Sequence, residues 1–355
     1  MKTYAVIMAG GVGSRFWPRS KEKTPKQLLK IFGTNTMIQA TVERLDGIVE
    51  KENIYVITNK IQRDEIVWQL SDVPAENVLE EPFGRNTAAC IGFASSIIKK
   101  KDSDAVTIIL PADHIIKDTD KFHTTLKTAA NFAFSSVGLV TIGIVPTRPE
   151  TGYGYIQIDE NDTASNIHKV FTFAEKPNYA TAVRFVESGD FLWNSGMFIW
   201  RVDSILDEIK NYMPDLYRGL EKIEAAAGAP DYEAVLAKVY GQLKSVSIDY
   251  GIMEKSQKVY LTKGEFSWSD VGSWEEVYNL SDKNSDGNVV NGNIFADKTA
   301  DTYIYSQSKF TAVIGVENLI IINADDSLLV CRRDQCQDVK KIVDYLKINQ
   351  MTEYL

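Results

Sequence analysis

Residues 4–27 read YAVIMAGGVGSRFWPRSKEKTPKQ, and this stretch decides the fold. Tyr4–Met8 is a continuous apolar run, too short for a helix, and predicts a strand buried on both faces. Glycines follow at once. They let backbone amides approach phosphate oxygens closely. Two familiar phosphate loops do not fit. The dinucleotide fingerprint begun at Gly11 needs a glycine where Phe16 stands, and an acid where Thr58-Asn59-Lys60 closes the second strand. The Gly-Lys-Ser/Thr of a P-loop is absent. What distinguishes the loop is charge: Arg15, Arg19, Lys21, Lys23, Lys26 and Lys30 stand against the single acid Glu22. A solvated basic loop would give the same charge; the preceding strand and glycines favour an anion site.

Working outward, strand-like runs alternate with helical patterns. Ile38, Val42, Leu45 and Val49 share a helical face. Ile54–Thr58 reads as a strand, Ile61–Leu70 as a helix, and Asn86 is placed to cap a helix running to Lys101. Ala105–Leu110 and Leu139–Val145 are strands, followed by Tyr153–Ile158, Val170–Glu175 and Trp193–Trp200. Residues 204–240 are largely helical with a break at 225–230. Val259–Thr262 is a strand, and Trp274–Leu280 a helix. The alternation predicts an α/β fold, a Rossmann-like and mostly parallel mixed sheet with helices on both faces. After residue 282 the texture changes to short β-like runs at 293–295, 302–305, 311–316, 319–323 and 327–331, with a last helix capped by Asp334. Two domains are therefore expected, 1–282 and 283–355, the second small and β-rich.

Composition sets limits. The chain has 355 residues and a formal net charge of −9, which argues against nucleic acid or an anionic membrane as partner. Three cysteines and three scattered histidines exclude a disulfide framework and a zinc cluster, and fit a reducing, cytoplasmic setting. No apolar run approaches the roughly 20 residues that span a bilayer.

Further constellations lie at strand ends. Gly84-Arg85-Asn86-Thr87 opens a helix whose first amides suit a polar ligand; a plain cap by Asn86 reads equally well. Asp113, after a buried strand, and Asp270, far along the chain, are oxygen donors suited to Mg²⁺, though either alone could simply cap a helix. Glu175-Lys176 precedes Pro177, which can turn both side chains toward one cleft. Gly152-Tyr153-Gly154 and Trp193-Asn194-Ser195-Gly196 could line a sugar ring or be ordinary turns. Asp249 reads as a helix cap.

Taken together, Ala9 through Arg15, Trp17-Pro18 and Pro25-Lys26-Gln27 resemble the signature of the sugar nucleotidyltransferase family. Phe16-Trp17-Pro18 and Lys26-Gln27 are similar to its mannose-1-phosphate guanylyltransferase branch. The GRNTA-like element, the Glu175-Lys176-Pro177 element and residues 247–255 add to the likeness; Ala89 departs from it, standing where proline is common. The resemblance implies a nucleotidyltransferase-type fold with a β-rich tail, a short left-handed β-helix that aids a homodimer. It implies GTP and α-D-mannose 1-phosphate as substrates and Mg²⁺ as cofactor. Gly10, Gly11, Gly13, Ser14, Arg15, Lys26, Gly84, Arg85, Asn86 and Thr87 would bind nucleotide. Gly152, Gly154, Glu175, Lys176 and Asn194 would bind sugar, and Asp113 and Asp270 would share the metal. Arg15, Lys26, Lys176, Asp113 and Asp270 would be the catalytic set. Longer relatives append an isomerase domain, and a single activity is expected of this chain. The same chemistry on a fucose, heptose or glucose phosphate, and a non-catalytic regulatory subunit, are the alternatives.

Overall fold

The computed structural model describes residues 1–159 and 166–355. They form two compact units. One comprises residues 1–10, 42–112 and 116–268; the other comprises 11–41, 113–115 and 269–355.

Along the chain come β1 (Thr3–Met8), α1 (Met37–Glu43), β2 (Ile54–Asn59), α2 (Arg63–Gln69), β3 (Val78–Glu81), α3 (Asn86–Lys101) and β4 (Val106–Pro111). The two-residue β5 (Ile115–Ile116) precedes α4 (Thr119–Ser136), β6 (Leu139–Ile144), β7 (Tyr155–Ile158), β8 (Ile167–Ala174), α5 (Tyr179–Ser188) and β9 (Phe191–Arg201). Then follow α6 (Val202–Tyr212), α7 (Pro214–Ala225), α8 (Tyr232–Gln242), one π-helical turn (Asp249–Met253), β10 (Val259–Lys263), the short β11 (Trp268–Ser269) and α9 (Trp274–Leu280). The chain closes with β12 (Val289–Asp297), β13 (Tyr303–Ile314), β14 (Leu319–Asn323), β15 (Leu328–Arg332) and α10 (Val339–Ile348).

The larger unit holds a nine-stranded mixed sheet in the order β3-β2-β1-β4-β9-β6-β10-β8-β7. β3, β2, β1 and β4 run parallel, as do β6 and β10. β9 enters antiparallel to both β4 and β6, so it is a reversed strand between two groups that run the same way. The apolar run in β1 has its reason here: with strands on both sides and layers above and below, Tyr4, Ala5, Val6 and Ile7 are fully buried. One face packs Tyr4, Val6 and Ile57 against Ile91, Phe93 and Ile98 of α3 and Ile205 and Ile209 of α6. Truncating such an Ile to Ala costs about 2–5 kcal/mol.

In the second unit β12, β13 and β14 stack in parallel and β15 closes antiparallel, the expected β-rich tail. Its core gathers Phe16, Trp17 and Ile31 with Val271, Trp274, Tyr303, Ile320 and Val343. The basic loop of the N-terminus is thus anchored by the C-terminal part of the chain, which no local pattern announces.

Several local expectations are corrected. α1 ends at Glu43, because the next bonds tighten to three-residue turns (Leu45 N to Val42 O at 3.1 Å, Asp46 N to Glu43 O at 3.0 Å). Leu45 and Val49 are buried nonetheless. The runs expected at 302–305 and 311–316 fall for the most part in one long strand, β13, which spans Tyr303–Ile314. Asp334 does not cap the last helix: a 3₁₀ run over Arg333–Asp338 intervenes, and Asp334 pairs with Arg332 at 2.6 Å. The 204–240 region breaks a second time where Pro214 opens α7. Among the described residues no helix is long and apolar enough to cross a membrane.

Candidate active site

In the smaller unit the glycine loop is built against Lys26. Gly13 has φ +67°, and a Cβ there would lie 2.5 Å from Lys26 Cβ, so only glycine fits. The Ser20 hydroxyl donates to Val12 O at 2.5 Å and Gln27 Nε2 to Gly11 O at 2.9 Å, closing the loop upon itself. Ser14–Phe16 form a 3₁₀ turn whose Phe16 ring packs 4.9 Å from Trp274.

Lys26 is almost wholly buried, and its ammonium is the centre of the cluster. It donates to Asp113 Oδ2 at 2.8 Å and to the Asp270 carbonyl at 2.6 Å. Burial opposes ionisation of Asp113, but the charges of Lys26 and His114 outweigh it and hold the carboxyl below its ordinary value. Asp270 is followed by Val271 at φ +47°, a conformation β-branched residues rarely adopt. Val271 is fully buried and its amide is held by Ser269 Oγ at 3.0 Å, so core packing enforces the turn that presents Asp270. Neither aspartate caps a helix: Asp113 precedes β5, and Ser273 occupies the cap position of α9.

The other cations of the loop divide. Arg19 stacks 4.0 Å from the Tyr305 ring and donates to Lys30 O at 2.8 Å, while Lys21 pairs with Asp326. These two fasten the loop to its own unit. Arg15 is exposed, with no ion pair among the described residues.

In the larger unit Gly10, at the end of β1, lies beside the end of β3, where Glu81 is buried. Glu81 Oε1 has no hydrogen-bond partner among the described residues. Burial pushes its carboxyl up to about 7, with partial relief from the Tyr240 hydroxyl. Gly84 is exposed beyond it, and Arg85 donates to the last carbonyls of the α8 region, Tyr240 O at 2.7 Å and Gly241 O at 3.0 Å. Asn86 is not a standard cap. It sits at φ +64° as the first residue of α3 and accepts from the adjacent Thr87 amide at 2.8 Å. The Thr87 hydroxyl accepts from Ile248 N at 2.8 Å.

A second cluster of this unit joins Gly154, Glu175, Lys176 and Asn194. A Cβ on Gly154 would overlap Glu175 Oε2 and lie 3.4 Å from Asn194 Cβ. Lys176 has φ +47°, and this left-handed residue, before Pro177 is reached, returns its ammonium to Glu175 Oε1 at 2.7 Å. The bond to Glu175 raises the Lys176 pKa above its ordinary value. Asn194 Nδ2 donates to Asp249 Oδ1 at 2.9 Å. Asp249 therefore does not cap the π turn that it begins. Gly152 stands at the surface, its amide donating to Glu150 at 3.0 Å, and Tyr153 meets the Trp193 ring at 5.2 Å. Sequence reasoning assigned no role to Glu81 and only a helix cap to Asp249; the signal in both is burial of a carboxyl, which only the fold reveals.

A fold of this topology, with a glycine-rich basic loop and a buried lysine that binds one carboxylate and the backbone carbonyl of a second aspartate, suits transfer between phosphates. Residues 4–287 match the family model described as nucleotidyl transferase, and residues 292–346 that of the MannoseP isomerase/GMP-like β-helix domain. A mannose-1-phosphate guanylyltransferase of Escherichia coli is 40% identical over 354 residues, covering 98% of this chain and 75% of the relative. One of Salmonella muenchen is 41% identical over 358 residues, covering 99% and 75%. A crystal structure described as mannose-1-phosphate geranyltransferase from Thermus thermophilus superposes with a TM-score of 0.87 at 32% identity, covering 98% of this chain and all of that one. The chain belongs to the nucleotidyl transferases and, among them, to the mannose-1-phosphate guanylyltransferase family.

Proposed function

We propose that the protein converts GTP and α-D-mannose 1-phosphate to GDP-mannose and pyrophosphate. The observation that carries the reading is the Lys26 ammonium, bound at once to the Asp113 carboxylate and to the Asp270 backbone. One lysine that holds a carboxylate and the backbone of a second aspartate, beside a loop of glycine and arginine, suits a metal–triphosphate complex.

The donor set fits Mg²⁺. Asp113 and Asp270 offer hard oxygen ligands, and Asp113 is held ionised by its neighbours. Among the described residues no group of three His, Cys, Asp or Glu side chains forms a cage, which suits an ion that keeps waters and substrate oxygens in its shell. When bound, Mg²⁺ would neutralise charge on the phosphates as the α-phosphorus is attacked.

The chain's own groups supply the rest. The phosphate of the sugar substrate is already an anion, so no general base is needed, and catalysis rests on alignment and charge. Lys176 orients that phosphate, with Glu175 and Asn194 at the sugar hydroxyls. Gly10, Gly11, Gly13 and Ser14 offer backbone amides to the triphosphate, and Gly84, Arg85, Asn86 and Thr87 flank the base. Arg15 neutralises the departing pyrophosphate. Lys26 has two of its three N–H donors engaged, so it fixes Asp113 and Asp270 and keeps one donor for phosphate. A matrix of sugar 1-phosphates against nucleoside triphosphates, read by pyrophosphate release, tests the assignment: mannose 1-phosphate with GTP should give the highest kcat/KM, and another pair exceeding it would overturn the substrate reading.

We also infer a homodimer. Exposed apolar side chains on the tail sheet, Phe295, Phe310, Ile314, Leu328 and Val330, support it. The chemistry and the free thiols fit the cytoplasm.

A further inference from the structure

Residues 246–250 link two of the clusters in the larger unit. On one side they meet the start of α3, where Ile248 N donates to Thr87 Oγ1 at 2.8 Å and Ala88 N donates to Val246 O at 3.2 Å. On the other, Asp249 Oδ1 accepts from Asn194 Nδ2 at 2.9 Å. The orientation of the Asn194 amide is fixed from its other end. Its Oδ1 accepts from Gly196 N at 3.1 Å and from the Thr141 hydroxyl at 3.4 Å, so the nitrogen must face Asp249. One N–H of that nitrogen is bound to Asp249, and among the described residues the other has no acceptor and is left for a ligand. The backbone amide of Asn194 is tied to Gly154 O at 2.8 Å, which gives the side chain a rigid base.

We propose that Asp249 is a positioning residue for the sugar phosphate: its carboxylate orients the Asn194 amide and, with Glu175, holds the Lys176 ammonium, so that affinity for the sugar phosphate and not for the nucleoside triphosphate depends on it. This rests on the reading of the site given above.

The charges around Asp249 decide how it responds to pH. Glu175, Lys176, Tyr250 and Glu254 are the titratable groups nearby. Burial first, and the Glu175 charge second, push the Asp249 carboxyl up to about 6, against the Asn194 hydrogen bond and the Lys176 charge. Protonation turns an acceptor into a donor and removes one of the two negative charges that hold Lys176. The kcat/KM for the sugar phosphate should therefore fall on the acid side of about pH 6, while binding of GTP does not follow.

The experiment compares wild type with Asp249→Asn and Asp249→Ala, varying each substrate in turn between about pH 5 and 8. A buried hydrogen bond to a charged group is worth about 1.5–3 kcal/mol, so KM for mannose 1-phosphate should rise about 10–100-fold with KM for GTP within about twofold. Mannose 1-phosphate itself loses its second proton near pH about 6, so wild type should show an acid limb steeper than that of the substrate alone, and Asp249→Asn only the substrate's own limb. Equal rises in both KM values, an unchanged KM for mannose 1-phosphate, or an acid limb as steep in Asp249→Asn as in wild type overturns the inference. Calorimetric titration with mannose 1-phosphate gives the same comparison without turnover. In wild type alone, failure of that affinity to fall toward pH 5 is equally decisive. A wild type that turns over GTP and mannose 1-phosphate beside an Asp249→Asn variant of unchanged KM removes this inference and leaves the functional reading standing; a wild type with no turnover removes the latter.

Discussion

The Lys26 ammonium and the Asp113 carboxylate meet at 2.8 Å although they stand 87 residues apart. The lysine is nearly excluded from water, its side chain 5% exposed, whereas that of Asp113 is 35% exposed. The pair is therefore anchored at its cation and open at its anion, the arrangement expected where a carboxylate must remain ionised and still reach a ligand.

Replacing Lys26 by Met leaves Asp113 without its partner. We expect kcat/KM to fall about 10²–10³-fold in a pyrophosphate-release assay. The folded-state pKa of Asp113 is depressed, so the stability it confers is present above its unfolded value, near 4, and is lost as pH falls through the folded value. Between pH 5 and 3 wild type should lose more melting temperature than Asp113→Asn. Parallel curves would show that the ion pair has no such role.

Gly154→Ala places a methyl group on Glu175 Oε2. Glu175 must swing away and take the Lys176 ammonium with it. KM for mannose 1-phosphate is expected to rise at least tenfold, with melting temperature little changed; an unaltered KM would mean that the Glu175–Lys176 geometry is not used.

Glu81 titrates at about 7 in the folded protein against an ordinary value of 4.5. The native state then holds a proton that the unfolded chain has released, so stability falls as pH rises from about 4.5 to 7 and levels off above. Glu81→Gln should remove that slope and gain roughly 1–3 kcal/mol at pH 8 in urea titrations. Identical pH dependence in the two proteins would contradict the buried-acid assignment.

Phe310 is 65% exposed on β13 and belongs to the apolar surface of the tail sheet. Light scattering should give twice the chain mass for wild type and the single-chain mass for Phe310→Asp. A wild type that is monomeric at every accessible concentration would dismiss the homodimer.

The larger sheet was legible where strands are buried on both faces, as Tyr4–Met8 and Ala105–Leu110 show, because continuous apolar runs of that length have few other solutions. β3 was not separately legible: its four residues, Val-Leu-Glu-Glu, end in a carboxyl that only the sheet buries. α4 and α5 went unassigned as well, since Phe122, Leu126 and Ala129 reveal their face only once the sheet they cover is known. At the site, Gly13 and Lys26 stood close in sequence. The Asp113–Lys26–Asp270 cluster spans a separation of 244 residues between Lys26 and Asp270, and only the resemblance paired its acids. Arg19 and Lys21 were counted in the basic run with no role of their own, and a tyrosine ring and an aspartate more than 280 residues onward claim them.

The most direct measurement is pyrophosphate release by the purified protein given GTP, mannose 1-phosphate and Mg²⁺, wild type beside Asp270→Asn. We predict stoichiometric GDP-mannose and pyrophosphate from wild type and a rate about 10²–10³ lower from the variant. Undiminished turnover by Asp270→Asn, or none by wild type, would contradict the two-carboxylate account.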